Sequence, residues 1–163
     1  RTRANRPAAG AAQAHGGRRL RNRCVRVRCS TLRSMDSEVD FNDAVGADAT
    51  MTFTVSASDT AEAVGSGVVP VLGTPVLVAW LEATTLQVAE VPAGTVSLGV
   101  HIDVGHLAPS GVGQEVTCRA RLTAVAGLRL TYVVDAHNAD GTAIAQGTID
   151  RVVVERERFL SRV

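Results

Sequence analysis

Between Ala63 and Ala89 the chain carries one ionisable side chain, Glu82, two residues after its only tryptophan, Trp80. A carboxylate in so apolar a stretch is costly unless it is paired, hydrogen-bonded or protonated. It can serve as a base or nucleophile in a cleft, or simply mark a helix face that reaches solvent or another subunit. Two further side chains could join it. Thr74 precedes Pro75 at the start of the same stretch, where a threonine caps a helix and a helix N-terminus offers free N–H groups to an anion. His106 ends the segment 95–106, whose even positions Val96, Leu98, Val100, Ile102 and Val104 are apolar. It therefore falls on the apolar face where that face runs out, as a hydrogen-bonded core histidine or as a proton-transfer group. Thr74 and Glu82 on one straight helix lie about 12 Å apart along its axis, too far for a direct hydrogen bond.

The elements that must position these residues can be read from periodicity. "ATMTFTVS" alternates Met51, Phe53 and Val55 against threonines, a first strand with one buried face. "GSGVVPVLG" (65–73) is a glycine- and proline-punctuated loop that is nonetheless apolar, as a covering loop would be. A helix is expected from Thr74-Pro75 to Val88, with Thr74 as its cap, apolar nearly all round and therefore buried. Four strands follow, at 95–106, 116–124, 128–136 and 142–155. "NADG" (138–141) turns the last hairpin, and a bulge is expected near Gly147. Short turns favour pairing of sequence neighbours. The expected class is α+β, a curved antiparallel sheet wrapped around one central helix, which is the hot-dog arrangement; an α+β sandwich of another topology is the alternative.

Composition limits the chemistry. Hydrophobic residues make up 45% of the 163 residues and aromatics only 3%, so the core must be aliphatic. Without a lysine the chain has no P-loop lysine, Schiff-base lysine or Ser-Lys dyad. GxSxG and HExxH motifs are absent. Cys24, Cys29 and Cys118 suggest neither a disulfide framework nor a zinc site, and a reducing, cytoplasmic setting is expected. No apolar run reaches the ~18 residues of a membrane span. The net charge of +1 hides an asymmetry: residues 1–34 hold ten arginines and no acid, and the remainder holds seven arginines and sixteen acids. Residues 1–34 are expected to be a disordered Arg-rich arm, a targeting segment, or an extension upstream of a natural start at Met35. Residues 35–163 would form the domain. The arm has no aromatic residue for stacking, so a nucleic-acid role would rest on phosphate contacts alone.

"GTPVLVAWLEATT" and the later "SLGVHIDVGHLAPSGVGQEVTCRARLTAVAGLRLTYVVDAHNADGTAIAQGTIDRVVV" resemble the hot-dog acyl-CoA thioesterases of the fluoroacetyl-CoA thioesterase type. The likeness covers roughly 48–160. It places a threonine before the central helix (Thr74), a glutamate eight residues on (Glu82), a glycine in an "SLG" strand start (Gly99) and a histidine seven residues later (His106). The "GT..R" of the last strand places Arg151. The resemblance implies hydrolysis of an acyl-CoA thioester at the interface of a homodimer or dimer of dimers. Thr74, Glu82 and His106 would form the catalytic set, with Gly99 holding a carbonyl oxygen or water through its backbone N–H. Arg121 and Arg151 would suit CoA phosphates. No metal is expected, and no cofactor beyond the CoA of the substrate. Loop 65–73 lacks any aromatic, so a lid of bulky rings is not expected. The alternatives are a hot-dog module that binds acyl-CoA without turnover, and a hot-dog hydratase or dehydratase, although "VLGTPVLVAWLE" lacks the Asp and His that class would want.

Overall fold

The computed structural model describes residues 40–163 together with the backbone of Arg19–Arg21. The expected arm, and the start at Met35, otherwise lie outside the described residues. The elements are β1 (Arg19–Arg21), β2 (Asp48–Thr54), α1 (Thr74–Thr85), β3 (Thr95–His106), β4 (Glu115–Ala126), β5 (Arg129–Asn138), β6 (Ala143–Glu155) and α2 (Arg156–Leu160). They form one antiparallel sheet in the order β1-β2-β4-β5-β6-β3, with α1 lying across β4 between β2, β5 and β3. This is the curved sheet around one helix expected from the sequence.

The strand order departs from sequential pairing at one place. β3 pairs with β6 and forms the far edge, while β4 pairs with β2 and β5. The connection 107–114 is not a tight turn. Three strand spacings separate β3 from β4, about 14 Å, and eight extended residues can span roughly 26 Å. The crossing is pinned on the way. Ser110 Oγ donates to Asn138 Oδ1 at 2.6 Å, Asn138 Nδ2 donates to the Pro109 carbonyl, and Leu72 N donates to the Ser110 carbonyl.

The core is aliphatic, as composition required. Leu77 and Leu81 of α1 are wholly buried with Val116, Leu122, Leu130, Val134 and Ile149. Burying each such side chain contributes about 1.5–3 kcal/mol. Phe53 and Trp80 stack at 4.7 Å on the β2 side of α1. The helix differs from expectation in two ways. It ends at Thr85 rather than Val88, because Thr84 and Thr85 turn their hydroxyls onto the Trp80 and Glu82 carbonyls. The chain then tightens into i→i+3 bonds through Gln87 and Val88. Its apolar character also does not mean burial all round. Pro75, Ala79 and Leu86 are exposed on the face that carries Glu82, with Val78 half-buried among them.

Two local expectations also change. The extra residue of β6 is Ile144, not Gly147; Ile144 and Ala145 are buried in succession where the β5 register shifts. Gly147 is instead a close approach, since a Cβ there would collide with the Asp103 carbonyl and the Val104 backbone of β3. Loop 65–73 covers the core only at its end: residues 65–70 are exposed, with Val68 at 88%, and Leu72 is buried in the core.

Candidate active site

Thr74 is the first residue of α1, and Gly73 rather than Thr74 occupies the capping position. The Thr74 hydroxyl makes no capping bond. It lies 2.9 Å from His106 Nδ1, at the far end of β3. Freed from capping, the hydroxyl is available to the imidazole. Burial pulls His106 below its ordinary value of 6.5, with the Ala108 backbone opposing the shift. A neutral imidazole that accepts at Nδ1 carries its proton on Nε2. That Nε2 is buried and lacks a hydrogen-bond partner among the described residues.

Glu82 sits two turns further along the helix. Its Oε1 faces Arg151 Nη1 at 3.4 Å, and the side chains are 32% and 6% exposed. Arg151 is held from every side. Its Nε donates to Ser97 Oγ at 2.8 Å, its Nη2 to the Ser97 carbonyl at 2.6 Å, and its Nη1 to Thr85 Oγ1 at 3.4 Å as well as to Glu82. Burial lowers its proton affinity from the ordinary value; Glu82 and then Tyr132 oppose that shift. Gly99 lies directly opposite Arg151 on β3, and a Cβ on Gly99 would collide with the Glu82 carboxylate. Glycine is needed there to make room for that carboxylate; its φ is not in the left-handed region.

One strand serves both groups because it changes face midway. The register slips between Gly99 and His101, leaving Val100 as an extra residue. Before the bulge the odd positions Ser97 and Gly99 face the helix, opposite the inward Val153 and Arg151. After it the even positions Val104 and His106 face the helix, opposite Gly147 and the buried Ala145. The expectation of one even-numbered inner face from Val96 to His106 therefore holds only for the second half. A bulge has no periodicity of its own, so alternation carried straight through it put Gly99 on the wrong face.

The structure thus brings Thr74 to His106, and Glu82 to Gly99 and Arg151, and keeps the two groups apart along α1. Arg121 joins neither. It is exposed between the buried Ala120 and Leu122, on the face of the sheet turned away from α1. Arg151 is 5% exposed, which leaves it little surface for a phosphate. Two participants had no signal of their own. Ser97 and Thr85 are ordinary residues locally, and only the partner across the sheet makes them guanidinium ligands.

The sequence profile of the fluoroacetyl-CoA-specific thioesterases matches residues 55–157. The chain belongs to that family. The fluoroacetyl-CoA thioesterase of Streptantibioticus cattleyicolor is 42% identical over 71 residues, 43% of this chain and 50% of that protein. The chain thus matches about half the length of that curated relative. A solved fluoroacetyl-CoA thioesterase superposes with a TM-score of 0.68 at 29% identity, over 72% of this chain and 93% of that one. A hot-dog-like protein from Thermanaerovibrio acidaminovorans gives 0.69 at 29% identity, over 76% and 94%. Every candidate residue from Thr74 to Arg151 falls inside the family match.

Proposed function

We propose that the protein hydrolyses acyl-CoA thioesters, with Thr74, Glu82 and His106 as its catalytic residues. The observation that carries this reading is the 2.9 Å bond between Thr74 and His106 in a chain of a thioesterase family. In the proposed step the neutral His106 takes the proton of the Thr74 hydroxyl or of a water beside it. The oxygen so activated, or one activated by the Glu82 carboxylate, bonds to the thioester carbon. The carbon–sulfur bond breaks, and the CoA thiolate leaves with that proton. Where an oxygen of the chain forms the first bond, water completes the hydrolysis. Where Glu82 activates the attacking oxygen, the Gly99 backbone, beside Glu82 and free of a side chain, is the proposed support for the carbonyl oxygen.

Arg151 is better suited to hold Glu82 than a CoA phosphate, because its donors point at Glu82, Ser97 and Thr85. Arg121 is left as a candidate for a phosphate only if CoA reaches the outward face of the sheet.

A homodimer, or a dimer of dimers, forms part of the proposal. β3 is a twelve-residue edge strand with no partner on its outer side among the described residues. Val100 and Ile102 are 51% and 42% exposed along it, and Leu107 just past its end is 52% exposed. The open face of α1, with Leu86 at 49%, carries the same character. An open apolar edge of this length invites a strand from a second copy, which would also cover the exposed face of α1. A cytoplasmic setting agrees with Cys118, which is a free, buried thiol. No described helix is long and apolar enough to cross a membrane.

Thiol release from a panel of acyl-CoAs tests the reading. Glu82→Ala should lower kcat/KM by about 100-fold or more. Full activity in that variant would overturn the assignment. Tight acyl-CoA binding without any turnover would favour a binding module instead.

A further inference from the structure

A cavity of about 260 Å³ opens one turn beyond Glu82, between the end of α1, β3 and β5. Thr85, Leu86 and Ala89 form its helical wall, on the side of α1 that carries Glu82. Ser97 and Tyr132 face them from the sheet, and Glu90 lies at the helical end. The volume is near the lower end of small-ligand sites, about 300–1,000 Å³.

Its polar groups are unusual for a hydrocarbon pocket. Tyr132 lines the cavity and is 2% exposed, yet its hydroxyl has no hydrogen-bond partner among the described residues. A buried phenol normally finds a partner. Ser97 Oγ accepts from Arg151 Nε, so its own proton is free to be donated. Thr85 spends its proton on the Glu82 carbonyl at 2.6 Å. The wall therefore offers two O–H donors to a ligand, and the nearby guanidinium is already engaged with Glu82. The one ionisable side chain on the wall that is exposed to solvent is the carboxylate of Glu90. Donors without a free cation suit a neutral acceptor oxygen, and Glu90 disfavours an anionic one.

We infer that, with the thioester carbon beside Glu82 and Gly99, this cavity receives the acyl group and selects a short acyl chain bearing a neutral oxygen, a hydroxyl or keto group, a few bonds from that carbon. This rests on the thioesterase reading above and adds the substrate class to it. Tyr132 and Ser97 would be the specificity-determining residues, and Glu90 would exclude dicarboxylic acyl groups.

The test compares 3-hydroxybutyryl-, butyryl- and succinyl-CoA on the full chain. The hydroxylated substrate should exceed butyryl-CoA in kcat/KM by about tenfold, the worth of one or two neutral hydrogen bonds. Succinyl-CoA should fall below both. Tyr132→Phe should collapse the hydroxyl preference toward one. Glu90→Gln, an exposed change that keeps the fold, should raise succinyl-CoA relative to butyryl-CoA. A wild-type preference near one, or a preference unmoved by Tyr132→Phe, would overturn the inference while leaving hydrolysis intact. If no thioester is cleaved, hydrolysis is the reading that fails, and the same ratios measured as dissociation constants decide the pocket. Equal constants for the hydroxylated and plain chains would then overturn it.

Discussion

The two polar groups along α1 are built in opposite ways. At its N-terminus, Thr74 and His106 meet through one hydrogen bond, with Thr74 exposed. Two turns on, Glu82 faces a guanidinium that is itself fixed by Ser97 and Thr85 and almost wholly buried. The first group has one bond to rearrange and a histidine whose neutral form is favoured by burial. The second has a carboxylate aimed by a frame that cannot turn without leaving buried donors unpaired. The proposed proton-transfer pair and the proposed site carboxylate make different demands, and a single strand reaches both only because Val100 bulges between them.

After Glu82→Ala, the largest effect should come from the loose pair. His106→Asn should cost about 100-fold in kcat/KM, the lower range for loss of a general base. Wild-type kcat/KM should fall on the acid side with a midpoint below 6.5, because burial lowers the His106 pKa and only the neutral ring accepts a proton. A midpoint above 6.5 in the rate profile would contradict that assignment. Next comes the frame. Arg151→Met leaves Ser97 and Thr85 without their partner and Glu82 without its counter-charge. We expect about 2 kcal/mol of lost stability, discounted because Glu82 is a third exposed, and a fall in activity of about thirtyfold. Denaturant midpoints at unchanged m would check the first, and thiol release the second.

Gly99→Ala and Gly147→Ala separate aim from fold. At Gly99 the intruding methyl meets the far end of the flexible Glu82 side chain, so activity should fall about tenfold with stability changed by under about 1 kcal/mol. At Gly147 it meets strand backbone, which cannot swing aside, and stability should fall by about 3 kcal/mol. Equal stability losses in the two variants would show that Gly99 serves the sheet rather than the carboxylate. The smallest structural effect belongs to Thr74→Ala. Because Thr74 is not the cap, its loss should change stability by no more than about 0.5 kcal/mol, against about 1 for a true N-cap. A thermal melt of the variant distinguishes the two.

Much of this was legible in the chain. The alternation marked inner positions that are buried at Met51, Val55, Val116 to Leu122 and Leu130 to Ala136, while Phe53 is half-buried, and Ala124, past the register slip after Leu122, and Leu128, in the β4–β5 turn, are exposed; Thr74-Pro75 marked the start of α1. The lone charge in an apolar stretch pointed to Glu82, and the end of an alternating run pointed to His106. These signals are local, because a side chain's face follows from its parity or its helical angle. The signals failed where the outcome depended on another element. Capping chemistry marked Thr74 equally well as a cap, and His106 decided otherwise. The edge place of β3 depended on how far 107–114 reaches.

What the sequence determined by itself was the kind of domain and the residues worth suspecting, because periodicity and the isolation of a charge are properties of neighbours in the chain. What only the tertiary structure decided was the grouping. Arg151, Ser97 and Thr85 lie at least twelve residues apart along the chain and converge because β3, β6 and the end of α1 are laid side by side. The bulge at Val100 then turns one strand toward both ends of the helix, and no local pattern announces a single added residue.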